Sequence, residues 1–317
     1  MSHLRLSALQ RHLTASTPSS ARDALATDPA WAGKPVWLVC ALPAGRGSEE
    51  ELRRLLPAVR QTPGARVVFA GYGRTAVGAE AFGGVLIVEA VSTFSYAVDA
   101  LLLLLLEPLR GGSGGGASAA LVIACRPGWW HVGRAAPAPT REITQFSEAG
   151  AAATPSGLVG EHVRGARAGA TSATRAQASA LVADRRLGDD DEVWHLNLLR
   201  FGGAGGKPSY RHYQKAMGAK GGILEQFGAR STLANECFPR ALLQPAGSGG
   251  GGGGDCAGGF DLAIFACYPS KHAYLSMGAS EEYRAAAHFR HEGLAETFII
   301  SCLPELVVVD QGGPEQL

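Results

Sequence analysis

The chain lacks a strong charge of either sign, a long apolar run and any paired-cysteine motif, and each absence removes a class of protein. Its 29 Lys and Arg nearly cancel 28 Asp and Glu, leaving a net charge of +1. Nucleic-acid proteins need a basic face for the phosphates, so no nucleic-acid partner is expected. The leucine run, Leu101 to Leu106, is bounded by Asp99 two residues ahead and by Glu107 and Pro108 behind, and no apolar run elsewhere approaches the length of a span. A membrane span needs about 20 apolar residues, so no membrane partner is expected either. None of the six cysteines (Cys40, Cys125, Cys237, Cys256, Cys267 and Cys302) forms a Cys-x-x-Cys pair, which removes zinc-ribbon and thioredoxin-type readings. Buried free thiols in a reducing compartment remain, and the expected location is the cytoplasm. Charged residues are scarce at 18%, and the mean hydropathy of +0.05 is too apolar for a disordered chain. Residues 1–22 hold Arg5, Arg11 and Arg22, no acid, and Leu6, Leu9 and Leu13 at helical spacing. That pattern has the character of an organelle presequence; we read it instead as a short helix of the first domain.

Glycine is what the chain has in excess, 43 of 317 residues, about twice the usual share. The length suits about two domains. An internal repeat gives both observations a meaning. Val36-Trp37-Leu38-Val39-Cys40-Ala41-Leu42 matches the stretch from Val193-Trp194 to Leu198-Leu199. Gly64-Ala65-Arg66 returns as Gly228-Ala229-Arg230, Phe82 to Tyr96 aligns with Phe260 to Tyr274, and Leu121 to Pro127 aligns with Phe298 to Pro304. Four blocks in one order indicate a diverged tandem duplication. The glycine tracts 111–116 and 248–254 fall at different places in the two copies, as loop insertions.

Each copy predicts the same elements. Strands are expected at 36–42, 65–70, 84–91 and 120–125, and again at 193–201, 229–236, 260–268 and 297–302. Helices are expected at 48–61 and 208–227 and after each third strand, with Ser92 and Ser270 as N-caps. The order β-α-β-β-α-β is the ferredoxin-like arrangement, an antiparallel sheet with two helices on one face. The fold class is therefore α+β: two ferredoxin-like repeats at 1–133 and 181–310, joined by an Ala/Gly/Ser-rich linker at 134–180. Each repeat covers the bare sheet face of the other, and the internal pseudo-dimer leaves monomer and homodimer both open.

The second copy carries Asn197-Leu198-Leu199-Arg200-Phe201, Tyr210 with Tyr213, Gly228-Ala229-Arg230, Tyr268-Pro269-Ser270, and Glu282-Tyr283-Arg284 to His288 with His291-Glu292-Gly293-Leu294. In these motifs residues ~190–305 resemble the domain-of-unknown-function 1330 family. The resemblance implies a dimeric α+β barrel, in which two ferredoxin-like sheets pair. It implies no settled activity, because relatives in that superfamily include cofactor-free monooxygenases, isomerases, cyclases and haem enzymes, and fold does not choose among them.

The two copies act as controls for each other. His195 and Asn197, two apart on one strand face, align with Leu38 and Cys40. Tyr210 and Tyr213 have Arg46 and Glu49 as their nearest counterparts. His288, His291 and Glu292 share a helix face, where the first copy has a glycine tract. Proton-moving groups thus concentrate in the second copy. On the functional reading, His195 or His288 is a general base. Asn197 and a hydroxyl of Tyr210 or Tyr213 stabilise an oxyanion. Arg230 holds a carboxylate or phenolate, with Tyr213, Tyr268 and His291 lining the ligand. The bland reading makes these residues satisfied core groups. His288-Phe289-Arg290-His291-Glu292 is not a zinc-peptidase motif, and no metal or cofactor is expected. Gly202 to Ser209 fails as a P-loop, because Phe201 stands where the first glycine belongs and Pro208 removes an amide donor. The sequence therefore leaves two functions open. One is a cofactor-independent enzyme acting by proton transfer or oxygen addition on a small apolar or aromatic carbonyl compound. The other is a non-catalytic ligand-binding, structural or interaction protein.

Overall fold

The structure is a computed structural model that describes residues 19–43, 48–77, 82–93, 96–106, 121–127, 136–153, 173–242 and 259–307. Residues 1–18, Arg46, both glycine tracts and residues 154–172 of the linker lie outside the described residues.

In chain order the first half runs α1 (Ser19–Thr27), β1 (Val36–Pro43), α2 (Ser48–Arg60), β2 (Ala65–Val77), β3 (Phe82–Ala90), α3 (Tyr96–Leu106) and β4 (Leu121–Cys125). Then come α4 (Glu148–Ala153) and α5 (Arg175–Ala183). The second half follows as β5 (Val193–Phe201), α6 (Gly206–Gly218), α7 (Ile223–Gln226), β6 (Arg230–Glu236), β7 (Leu262–Tyr268), α8 (Lys271–Ala279), α9 (Glu281–Gly293) and β8 (Leu294–Val307).

All eight strands form one antiparallel sheet in the order β4-β1-β3-β2-β8-β5-β7-β6. Each half therefore contributes its four strands in the same spatial order: fourth, first, third, second. The registers correspond as well. Trp37 faces Cys125 as Trp194 faces Cys302, and Arg66 faces Glu89 as Arg230 faces Cys267. A bulge interrupts β2 between Val67 and Phe69 and β6 between Ser231 and Leu233. Both strands are entered through a left-handed glycine, Gly64 at φ 77° and Gly228 at φ 72°. These pairs are the ones the sequence blocks align.

The sheet curls until its outer strands touch. Cys125 at the end of β4 bridges Cys237 just after β6, and Phe238 N–H donates to the Ala124 carbonyl at 2.7 Å. The enclosed face is packed by both halves. Phe69 lies 5.5 Å from Trp194 and 4.9 Å from Phe265, ring centre to ring centre, among Val39, Ile87, Ile123, Leu196 and Ile300. Outside the curl, α2 and α3 cover the first half through an apolar layer that includes Leu38, Cys40, Leu55 and Leu101. Helices α6, α8 and α9 cover the second half. Strand alternation explains this division, since Trp194, Leu196 and Leu198 point in while His195, Asn197 and Leu199 point toward the helices.

Several boundaries differ from the sequence reading. Strands β2 and β8 run well beyond 65–70 and 297–302 because they pair with each other across the join between halves. Two-sided pairing satisfies backbone groups that local pattern leaves unassigned. The helix expected over 208–227 breaks after Gly218, where Gly221 takes φ 71° and α7 starts afresh. Ser270 caps α8 as expected, its Oγ accepting from Ala273 N–H. A second cap, Ser280, ends that helix and starts α9. Ser92 lies four residues ahead of Tyr96, the first described residue of α3.

Residues of the linker and the stretch that follows it are packed against α8. Lys271, only 3% exposed, donates from Nζ to the carbonyls of Val182 (2.9 Å) and Leu187 (2.7 Å) and pairs with Asp189 at 3.0 Å. His272 Nδ1 accepts from Phe146 N–H at 3.1 Å, fixing residues ahead of α4 against α8.

Candidate functional site

Three backbone devices bring polar side chains together beneath the helices of the second half. Strand β5 aims His195 outward from the curl. The Ser270 cap sets α8 so that Tyr274 lies over β5. Helices α6 and α9 touch at glycines: a Cβ on Gly293 would sit 2.8 Å from Tyr210 N, and one on Gly206 would sit 2.6 Å from the Gly293 carbonyl oxygen. Only residues without a side chain permit that approach. It places Tyr210 and Tyr213 of α6 beside Tyr283 and Arg290 of α9.

The resulting cluster is buried throughout. His195 is 1% exposed, its ring centre 4.1 Å from that of Tyr274 and 4.9 Å from that of Tyr268. The Ser301 hydroxyl on the neighbouring strand lies 3.4 Å from His195 Nε2. Tyr213 and Tyr283 hydroxyls are 3.5 Å apart, and the Tyr268 hydroxyl donates to Met277 Sδ at 3.7 Å. Two hydroxyls on this face, Tyr274 Oη and Thr297 Oγ1, find no hydrogen-bond partner among the described residues. Buried polar groups are almost always partnered, so such hydroxyls mark places where a ligand or water belongs.

Electrostatics follow from burial. Desolvation pushes the His195 imidazolium down from 6.5 to about 3, so the ring is neutral across the physiological range. Burial likewise drives the hydroxyls of Tyr210, Tyr213, Tyr268 and Tyr274 above their usual range, with the Arg290 charge pulling partly in the opposite direction. Arg290 is 4% exposed, and four tyrosines (Tyr283, Tyr213, Tyr210 and Tyr274) act on its guanidinium, which stays charged. The cluster thus holds one neutral base, one fixed cation and several neutral hydroxyls.

The structure brings together four of the eight residues singled out from sequence: His195, Tyr210, Tyr213 and Tyr268. Asn197 is on the same strand face but half-buried, its Nδ2 donating to the His195 carbonyl at 3.0 Å. Arg230 sits across from Cys267, which shares the inward face with Trp194, so it lies on the opposite side of the sheet from His195. There it forms a two-point pair with Glu192 at 2.8 and 3.2 Å. His288 is exposed and His291 half-buried. They share a helix face as expected, but the inward face of α9 is that of Tyr283, Ala286, Ala287 and Arg290. No group of three or more metal-ligating side chains occurs among the described residues.

Sequence reading missed Arg290, Tyr274, Tyr283 and Ser301. The signal for Arg290 was present: it lies one helical turn from Ala286 and Ala287, on the stripe that packs, whereas His288 lies off that stripe. Ser301 was accessible from the repeat, where it replaces Ala124 opposite the first strand.

No family model and no curated protein matches the chain, so the resemblance to the domain-of-unknown-function 1330 family rests on its motifs alone. Solved structures match at low identity. A monooxygenase candidate from Lactobacillus acidophilus aligns at 8% identity and TM-score 0.39, over 86% of this chain and 95% of that one. An anthrone oxidase-like protein aligns at 11% identity and TM-score 0.39, over 84% and 90%. A chlorite dismutase variant from Candidatus Nitrospira defluvii aligns at 9% identity and TM-score 0.35, over 89% and 95%. No helix among the described residues is long and apolar enough to cross a membrane.

Proposed function

We propose that the chain is a tandem of two ferredoxin-like units closed on each other as an intrachain dimeric α+β barrel, with a small-molecule site in the second unit. The matched registers, bulges and left-handed glycines support the duplication. The site takes a small apolar or aromatic carbonyl compound and acts on it by proton transfer, with oxygen addition to the resulting anion as the further step.

One observation carries this reading. The helix-covered face of the second half buries His195, Ser301, Arg290 and a set of tyrosines, where the equivalent face of the first half is apolar through Leu38, Cys40, Leu55 and Leu101. Burying polar groups costs stability, so their concentration in one of two like units points to use. Neutral His195 accepts a proton from an acidic C–H or O–H of the ligand. The Arg290 charge and tyrosine hydroxyls hold the anion left behind, and that anion makes protonation of a desolvated imidazole feasible.

The test is a thermal-shift panel of small aromatic acids and ketones, followed by deuterium exchange of the ligand's acidic C–H. A member of the panel is expected to raise Tm by several degrees in the native chain and not in Arg290→Met. His195→Gln is expected to retain that rise while losing exchange. Absence of any ligand-dependent rise overturns the site. A rise without exchange in the native chain supports the second reading, a non-catalytic binding protein. That reading is favoured by how fully the tyrosine rings and His195 already pack on one another.

A further inference from the structure

The curl closes where Cys125 of the first half meets Cys237 of the second. Their Sγ atoms are 3.2 Å apart and both residues are buried. The flanking bonds, Arg126 N–H to the Glu236 carbonyl at 3.0 Å and Phe238 N–H to the Ala124 carbonyl at 2.7 Å, make the two cysteines a non-hydrogen-bonded antiparallel pair. Such pairs have the closer Cα spacing, about 4.5 Å, at the near edge of the range that disulfides span. A movement of about 1 Å brings the sulfurs to bonding distance.

The surroundings are those of a seam. β2 and β8 share a long paired ladder, whereas among the described residues this edge has the two bonds above and Leu242 N–H to the Val122 carbonyl. Asn235, on the same strand face two residues before Cys237, is 2% exposed, and neither its amide nitrogen nor its amide oxygen has a hydrogen-bond partner among the described residues. That side chain offers a donor and an acceptor to a water-sized molecule beside the pair. Burial holds the Cys237 thiol well above its ordinary range, so it reacts only when the seam opens.

We propose that Cys125 and Cys237 form an oxidisable dithiol that staples the seam, with hydrogen peroxide as the oxidant. The Cys237 sulfur attacks one peroxide oxygen, the O–O bond breaks, and water leaves, giving a sulfenic acid. The Cys125 sulfur then attacks the Cys237 sulfur, and the sulfenic oxygen leaves as a second water. Two thiols and one peroxide become one disulfide and two waters. The bond links the two halves and closes a loop spanning 112 residues of sequence separation, a length at which cross-linking restricts the unfolded chain strongly.

The experiment treats the native chain with hydrogen peroxide, blocks remaining thiols with an alkylating agent under denaturing conditions, and maps peptides by mass spectrometry. The expected product joins the Cys125 and Cys237 peptides, leaves Cys40, Cys267 and Cys302 alkylated, raises Tm by several degrees, and reverts with dithiothreitol. Cys237→Ser is expected to lose both the cross-link and the Tm rise. Recovery of Cys125 and Cys237 in alkylated form overturns the proposal, as does a bond from either one to Cys256. Because the mapping uses the native chain, the result stands whether or not a variant folds.

Discussion

At the scale of single residues, His195 sets how the protein responds to acid. Its folded pKa, about 3, is below the 6.5 of the exposed group. The unfolded chain therefore takes up a proton as pH falls through 6.5, while the folded chain does not until near pH 3. Stability contributed by this group is complete above pH 6.5 and declines by about 1.4 kcal/mol per pH unit below it. Between pH 7 and pH 5 the loss amounts to about 2 kcal/mol, and His195→Gln is expected to remove it from urea-melt stabilities measured at the two values. An equal acid loss in the variant would show that burial of this imidazole is not what the pH dependence reports. His195 was legible in the sequence because its aligned partner is Leu38. Arg230 shows the limit of such reasoning: an arginine entering a strand is conspicuous, but strand parity sends it to the side opposite His195, where Glu192 takes it. The two histidines of α9 show the same limit on a helix. Spacing put them on one face without saying that the other face is the one that packs.

Elements were more legible than their lengths. Apolar, β-branched and aromatic-rich runs located the eight strands among the described residues, and repeated glycines marked where two of them begin. What remained hidden was the pairing of β2 with β8, since a strand's extension depends on a partner far away in sequence. Gly73 records how close that partner is. A Cβ there would collide with the Ser301 carbonyl oxygen, and one on Gly71 would sit 2.6 Å from the Leu303 carbonyl oxygen. Gly73→Ala is therefore expected to cost about 2 kcal/mol or more, because the contact is with backbone that has no rotamer to change. Chemical denaturation checks this, and a neutral substitution would mean that the two strands separate at no cost. The same ladder carries Ser301 into the site, so the variant is also expected to weaken any ligand-dependent rise in Tm.

On the scale of the whole molecule, the enclosed face of the sheet is packed by both halves, so they are expected to unfold as one cooperative unit. Phe69 of the first half stacks against Trp194 and packs at a tilt against Phe265 of the second. Phe69→Ala is expected to lower stability by about 3–5 kcal/mol and to keep a single transition, with tryptophan fluorescence and far-UV circular dichroism coincident. Two separated transitions would show that each half has a sufficient core of its own. The sequence by itself determined the α+β order of elements, the four matched blocks in their order and the half richer in polar groups. These follow from local periodicity and from comparing one copy with the other. Only the tertiary structure decided that β2 and β8 pair with each other, that Gly71 and Gly73 allow that close approach, and that Arg290 is buried beside the tyrosines of the helix-covered face while Arg230 lies on the other side of the sheet. Those outcomes depend on which face each backbone turns inward and how closely distant segments approach. Neither quantity is written in local spacing.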